Sequence, residues 1–224
     1  VVIFMRYKDI SFTLDQDRRS EQYRVSDGEK LGFGVRRTDH MFLMDFVGDW
    51  ENSHSGDWVN PRVVPYETAF LEQIDGEKTS SLISPGSKVL HYGYGFFEGA
   101  KAFMHPDGKL YTFRLDQNAE RFNRSARIMN MPTLPEEDFM LAVETLLSVD
   151  RLHYPMDSPG ASMYIRPYMF GNSDALGVGS GDRFTFGVFL SPSRAYYPQG
   201  FNPISLLYQT LFHRATPGGV GAAK

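Results

Sequence analysis

Ser162-Met163-Tyr164-Ile165-Arg166-Pro167 and Phe184-Thr185-Phe186-Gly187-Val188-Phe189-Leu190 stand on either side of Gly171-Asn172-Ser173-Asp174-Ala175-Leu176-Gly177-Val178-Gly179-Ser180-Gly181. The outer segments are rich in β-branched and aromatic residues and read as strands. The glycine-rich segment between them reads as a loop. Side chains alternate across a strand, so Tyr164 and Arg166 belong to one face.

Upstream of these strands the period changes to that of helices. Pro135-Glu136-Glu137-Asp138 places a proline at a first helical position and acids in the first turn. Phe139, Met140, Val143, Leu146 and Leu147 form the apolar side of that helix. An earlier helix is expected from a cap at Asp116 to about Arg127, with Phe122, Ala126 and Met129 toward the core. Before it, Phe103-Met104 and Leu110-Tyr111-Thr112-Phe113 flank His105-Pro106-Asp107-Gly108, a hairpin turn in which proline presets φ and glycine accepts positive φ. Met41-Phe42-Leu43-Met44-Asp45-Phe46-Val47 suits a buried strand. Gly-Asp-Trp then occurs twice, at 48–50 and 56–58, and reads as a turn-rich insertion. Leu90-His91-Tyr92-Gly93-Tyr94-Gly95-Phe96-Phe97 reads either as a core strand with close backbone approach at glycine or as an aromatic wall around a ligand. Strands, two helices and strands again make an α+β domain.

The expected organisation is a polar N-terminal arm over 1–30, a small α+β domain over 31–193, a connecting loop over 194–203 and the start of a larger domain over 204–224. A strand is expected at Ile204-Ser205-Leu206-Leu207 in that last stretch. Lys224 follows directly on Pro217-Gly218-Gly219-Val220-Gly221, and the remainder of the larger domain is expected to lie outside these residues.

Composition narrows the classes. Apolar residues make up 42% and aromatic residues 14% of the 224, enough for a real core. The net charge of −4 is too mild to indicate a nucleic-acid or acidic-membrane partner. Within these residues there is no cysteine, which excludes disulfides, thiolate zinc sites and cysteine nucleophiles and suits a reducing, cytoplasmic compartment. No apolar run approaches the ~18 residues of a membrane span. Val1-Val2-Ile3-Phe4 has no charged leader, although the first residue is not Met. Phosphate-loop, zinc-protease and hydrolase-elbow motifs are absent, as is any metal-ligand cluster.

Three features carry chemistry, each with a plainer alternative. Arg121, Arg124 and Arg127 recur every third residue, as a solvated basic face or as an anion clamp. Tyr164 and Arg166 form either a carboxylate grip or a packing pair on a wet face. Lys224 is either a surface lysine or a nucleophilic amine reached through a glycine-rich approach.

In order along the chain, these segments resemble the branched-chain amino acid aminotransferases, of fold-type IV among pyridoxal-phosphate enzymes. The resemblance runs from about Gly32 to Lys224. It rests on Thr38-Asp39-His40-Met41, Leu90-His91-Tyr92, Phe97-Glu98-Gly99-Ala100-Lys101-Ala102-Phe103 and Arg121 with Arg124-Ser125-Ala126. It continues through Tyr164-Ile165-Arg166-Pro167, Gly171-Asn172, Leu176-Gly177-Val178, Ala195-Tyr196-Tyr197-Pro198 and Arg214 to Lys224.

The resemblance implies a fold-type IV N-terminal domain followed by the start of a larger cofactor domain. It implies pyridoxal 5'-phosphate as cofactor, bound covalently by Lys224 and through its phosphate by Arg121, with Arg214 ordering the site. It implies Phe33, Tyr92, Phe97, Tyr164, Arg166 and Tyr196 around the substrate, with Arg166 accepting the second carboxylate of glutamate or 2-oxoglutarate. Val178 would enter the pocket of a neighbouring subunit, making a homodimer the smallest functional unit. The implied reaction moves an amino group between L-leucine, L-isoleucine or L-valine and 2-oxoglutarate. The alternatives are D-amino acid or R-amine transaminases and aminodeoxychorismate lyase within the fold, or a non-catalytic binding module. The family's carboxylate partner of the pyridine nitrogen falls beyond Lys224.

Overall fold

The computed structural model describes residues 10–14, 31, 33–74, 78–81, 83–156, 160–194, 196–197 and 202–224. In chain order the strands are β1 (Ser11–Phe12), β2 (His40–Asp49), β3 (Ser55–Pro65), β4 (Leu71–Ile74), β5 (Lys78–Ser81), β6 (Gly95–Phe97), β7 (Ala100–Met104), β8 (Leu110–Thr112), β9 (Ser162–Gly171) and β10 (Arg183–Ser193). The helices are α1 (Trp50–Ser53), α2 (Lys88–Tyr92), α3 (Leu115–Ile128) and α4 (Glu136–Val149).

The two segments that set the sequence reading are the centre of the sheet. β9 and β10 pair antiparallel from Phe184 opposite Gly171 to Ser193 opposite Ser162. Around them the strand order is β1-β3-β2-β10-β9-β7-β8, with β6 also pairing to β9. Among the described residues only β1 on β3 is parallel; the other pairings in this sheet are antiparallel. β4 and β5 make a separate hairpin. The sheet, two long helices and antiparallel hairpins constitute an α+β fold. Of the expected arm, only residues 10–14 are described, and Ser11–Phe12 adds to the edge of β3.

Alternation gives the sheet two different faces. Phe42, Met44 and Phe46 of β2, Met163, Ile165 and Met169 of β9, and Phe184, Phe186, Val188 and Leu190 of β10 turn toward α3 and α4 and are buried. α3 answers with Leu115, Ala119, Phe122 and Ala126, a stripe at helical spacing. The rings of Phe122, Phe139 and Phe186 meet with centroids 5.2–6.1 Å apart. On the other face Met41, Leu43, Tyr168 and Phe189 form a smaller cluster with Tyr66 and Phe70.

Helix ends show local chemistry at work. α3 is capped at Arg114 rather than Asp116, with Gln117 N–H on the Arg114 carbonyl at 3.1 Å. Asp116 instead lies in the first turn, where an acid suits the helix dipole. The C-terminus is a Schellman motif: Asn130 is left-handed (φ 52°), Met131 N–H bonds the Ala126 carbonyl and Asn130 N–H that of Arg127. Pro135 stands at the N-cap of α4, one position earlier than expected, and its carbonyl takes the N–H groups of Asp138 and Phe139.

Three further expectations are corrected. Leu90-His91-Tyr92 is the end of helix α2, not a strand, because Gly93 closes it in a left-handed cap (φ 61°) with its N–H on Val89. Ile204–Leu207 forms no strand; no neighbouring strand pairs with it among the described residues, and Leu206 and Leu207 are exposed. The two Gly-Asp-Trp copies are not an insertion but the facing arms of the β2–β3 hairpin, Gly48 pairing with Gly56. A side chain at Gly48 would collide with the Ser55 carbonyl, which explains the glycine. Each tryptophan ties the hairpin to the α3–α4 connection: Trp50 Nε1 donates to the Asn130 carbonyl and Trp58 Nε1 to that of Thr133, both at 3.0 Å.

Candidate active site

Where β6 ends, the chain makes a short passage through Glu98-Gly99 into β7, and α3 passes alongside. Glu98 is wholly buried, its N–H fixed to the Pro167 carbonyl of β9 at 2.7 Å. A buried carboxylate must be paired. Arg121, one turn and a half into α3, donates Nε to it at 2.6 Å and also Nη2; Lys224 Nζ lies 3.2 Å away, and Gly99 N–H adds a bond of 2.7 Å. Burial alone would push the Glu98 carboxyl up. The Arg121 and Gly99 hydrogen bonds and the charges of Lys224 and Arg121 outweigh it and hold the group below the usual glutamate value. The same contact raises Arg121.

Lys224 is positioned by its backbone as well. Its N–H donates to Ser125 Oγ of α3 at 3.1 Å, and its carbonyl accepts from Phe97 N–H of β6 at 2.9 Å. Two cations therefore meet one carboxylate, leaving a net positive charge. Both cationic side chains remain 40% exposed, and Arg121 Nη1 has no partner among the described residues.

Beside this cluster is an aromatic one. Arg166 donates Nε and Nη2 to Tyr164 Oη at 3.1 and 3.0 Å, and its guanidinium lies 4.2 Å from the centre of the Phe97 ring. Phe33 meets Tyr164 edge-on at 4.7 Å and Tyr196 at 5.1 Å. Gly99 joins the two clusters, since a side chain there would place its Cβ 2.5 Å from Tyr164 Oη. A largely apolar cavity of about 430 Å³ continues from Phe97 and Arg166 past Leu90, Tyr168, Phe170 and Phe189.

Of the residues singled out from sequence, Lys224 and Arg121 thus meet at one carboxylate, and Phe33, Phe97, Tyr164, Arg166 and Tyr196 at one aromatic cluster. Three lie apart. Tyr92 is half-exposed and donates its hydroxyl to the Leu176 carbonyl. Val178 is 93% exposed. Arg214 is exposed, and among the described residues no hydrogen bond joins it to Lys224. Sequence reading gave no role to Glu98 or Ser125. The available signal was that Glu98 is the one acidic residue between Lys78 and Pro106, set in an apolar stretch.

The chain matches no protein-family model. It is 37% identical over 199 residues to branched-chain-amino-acid transaminase 1 of Bacillus subtilis (strain 168), covering 88% of this chain and 51% of that protein. It is 36% identical over 198 residues to the chloroplastic branched-chain-amino-acid aminotransferase 5 of Arabidopsis thaliana, covering 88% and 43%. Against the branched-chain-amino-acid aminotransferase of Mycobacterium tuberculosis (strain ATCC 25618 / H37Rv) identity is 35% over 205 residues, covering 92% and 51%. The chain spans about half the length of the curated relatives it matches. In fold it is similar to a branched-chain aminotransferase from Thermoproteus uzoniensis, solved with norvaline, with a TM-score of 0.50, 21% identity and coverage of 72% of this chain and 43% of that one. The α+β fold is that of the fold-type IV N-terminal domain, and the curated homologues over about 88% of the chain are branched-chain aminotransferases.

Proposed function

We propose that this protein is a pyridoxal-phosphate-dependent transaminase that moves an amino group between L-leucine, L-isoleucine or L-valine and 2-oxoglutarate. The observation that carries the proposal is the convergence of Arg121 and Lys224 on buried Glu98, with positive charge in excess and both side chains open on one side. That donor set fits a phosphorylated aldehyde. The Arg121 guanidinium offers a planar fork for phosphate oxygens, and the Lys224 amine is the group that would bond the aldehyde. Bound there, pyridoxal phosphate would supply an electron sink for the substrate α-carbon.

The remaining roles belong to the protein. Glu98 holds Arg121 and Lys224 at fixed positions. The Lys224 amine would hold and move a proton at the substrate α-carbon. Phe33, Phe97, Tyr164 and Tyr196 supply the apolar wall a hydrocarbon side chain requires, worth roughly 1.5–3 kcal/mol on burial. Arg166, already paired with Tyr164 Oη, can turn to the second carboxylate of 2-oxoglutarate without leaving a buried charge unpaired when leucine is bound. Arg214, in the same terminal segment as Lys224, orders the site as in the family. Leu176 and Val178 are exposed apolar side chains, which supports their covering the pocket of a second copy in a homodimer. Tyr92, bonded to the same loop, belongs with them. The absence of cysteine supports a cytoplasmic location.

The test is the absorbance spectrum of the purified protein with pyridoxal phosphate. L-Leucine should remove the visible band of the bound cofactor and 2-oxoglutarate should restore it. Absence of any protein-bound band would refute the reading, and a band answering only to D-amino acids would replace the substrate class.

A further inference from the structure

Lys88 is a buried lysine, 2% exposed, and among the described residues no carboxylate lies within ion-pair distance of it. Its Nζ donates to the Gly177 carbonyl at 2.7 Å and lies 6.0 Å from the centre of the Tyr92 ring. Burying an ammonium against a neutral carbonyl is costly, so the contact calls for a purpose other than stability.

Gly177 sits at the tip of the loop between β9 and β10, flanked by Leu176 (68% exposed) and Val178 (93% exposed). Residues 174–178 are all exposed, so no core packing fixes them. What fixes them is a set of polar tethers from residues 86–92. Ala175 N–H bonds the Gly86 carbonyl at 3.3 Å, Ser87 Oγ donates to Asn172 Oδ1 at 3.0 Å, and Tyr92 Oη donates to the Leu176 carbonyl. Lys88 alone among them reaches Gly177. α2 is thus a strut, and Lys88 is its longest arm.

We propose that Lys88 is a positioning residue for substrate specificity: its ammonium latches the Gly177 carbonyl and thereby presents Leu176 and Val178 to the substrate pocket of a second copy. The inference rests on the reading that this loop serves that pocket. A loop held by carbonyl bonds can keep both apolar side chains pointing outward, where packing would draw them in. Lys88 touches no reacting atom, so its loss should weaken recognition of the branched side chain and spare the chemical step.

The experiment compares K88M and V178A with the unaltered protein, using amide exchange and steady-state kinetics. Methionine keeps the unbranched shape and most of the length of the side chain and removes both donor and buried charge, so K88M is expected to fold. In peptide 172–183 the N–H groups of Asn172, Ala175, Asp182 and Arg183 are bonded. Their exchange should accelerate about tenfold in K88M, the scale of losing one hydrogen bond to a charged donor, while peptides of β10 beyond Arg183 stay unchanged. The KM for L-leucine should rise several-fold with kcat within about twofold. Y92F, which removes the neighbouring tether, should give a smaller effect of the same kind. Unchanged exchange in K88M overturns the latch. Faster exchange with an unchanged KM, in a protein where V178A does raise KM, overturns the positioning role. Faster exchange with V178A also silent leaves the latch standing and overturns the reading that the loop serves the pocket.

Discussion

The two faces of the central sheet, built by alternate residues of the same strands, are finished differently. On the helix side Met163, Ile165, Phe184 and Phe186 are closed over by α3 and α4 to full burial. On the other side Tyr164, Arg166 and Tyr168 are only partly covered, and Arg166 and Tyr168 line an open cavity. One residue of β9 in two therefore serves the core and the next serves the site. The rigidity of the site comes from the closed face, because shifting the register by one residue would exchange the two sets.

The comparison predicts a division of effects. F186A on the closed face should have the largest, costing about 3–5 kcal/mol in urea unfolding by creating a cavity among Phe42, Phe122 and Phe139; a loss below ~1 kcal/mol would mean that face is not the stabilising one. R166A on the open face should slow the 2-oxoglutarate half-reaction by about tenfold to hundredfold and the leucine half-reaction by no more than about threefold. Equal losses in single-turnover measurements would assign Arg166 a structural role. At the joint between faces, E98Q should cost ~1 kcal/mol at neutral pH, a small figure because its two cations are half-exposed. Since the Glu98 carboxyl is depressed in the fold, its contribution is present above the ordinary value of 4.5 and is lost as pH falls through the folded value. The gap between E98Q and the unaltered protein in urea midpoint should therefore close on acidification; a constant gap would show that Glu98 is not ionised in the fold. Least of all, Y168F should change stability by less than ~0.5 kcal/mol, because the Tyr168 hydroxyl makes no hydrogen bond among the described residues and burial already pushes its pKa up.

Local and short-period features were legible in the sequence. The alternation of β9 and β10, the Pro-Asp-Gly hairpin at Gly108 and the apolar stripes of α3 and α4 follow from neighbouring residues, as does the shared face of Tyr164 and Arg166. Helix α2 was not legible, since five residues give too little period and Gly93 serves equally as strand glycine or helix cap. Nor was the absent strand at Ile204–Leu207, because pairing depends on a neighbour distant in sequence. The same limit hid Glu98, whose partners arrive from Arg121 and Lys224, and the Gly-Asp-Trp copies, whose tryptophans find their acceptors at Asn130 and Thr133.

Those tryptophans have an optical consequence. The sequence contains only two, Trp50 and Trp58, and both report from the joint between the β2–β3 hairpin and the α3–α4 connection, against Phe46. Intrinsic indole emission is therefore a signal of the closed face. It will follow the separation of hairpin from helices, and it contains no direct reporter among Glu98, Arg121 and Lys224. Unfolding curves read by fluorescence and titrations read by cofactor absorbance will observe different halves of this domain, and the distance between the two curves will measure how tightly those halves are coupled.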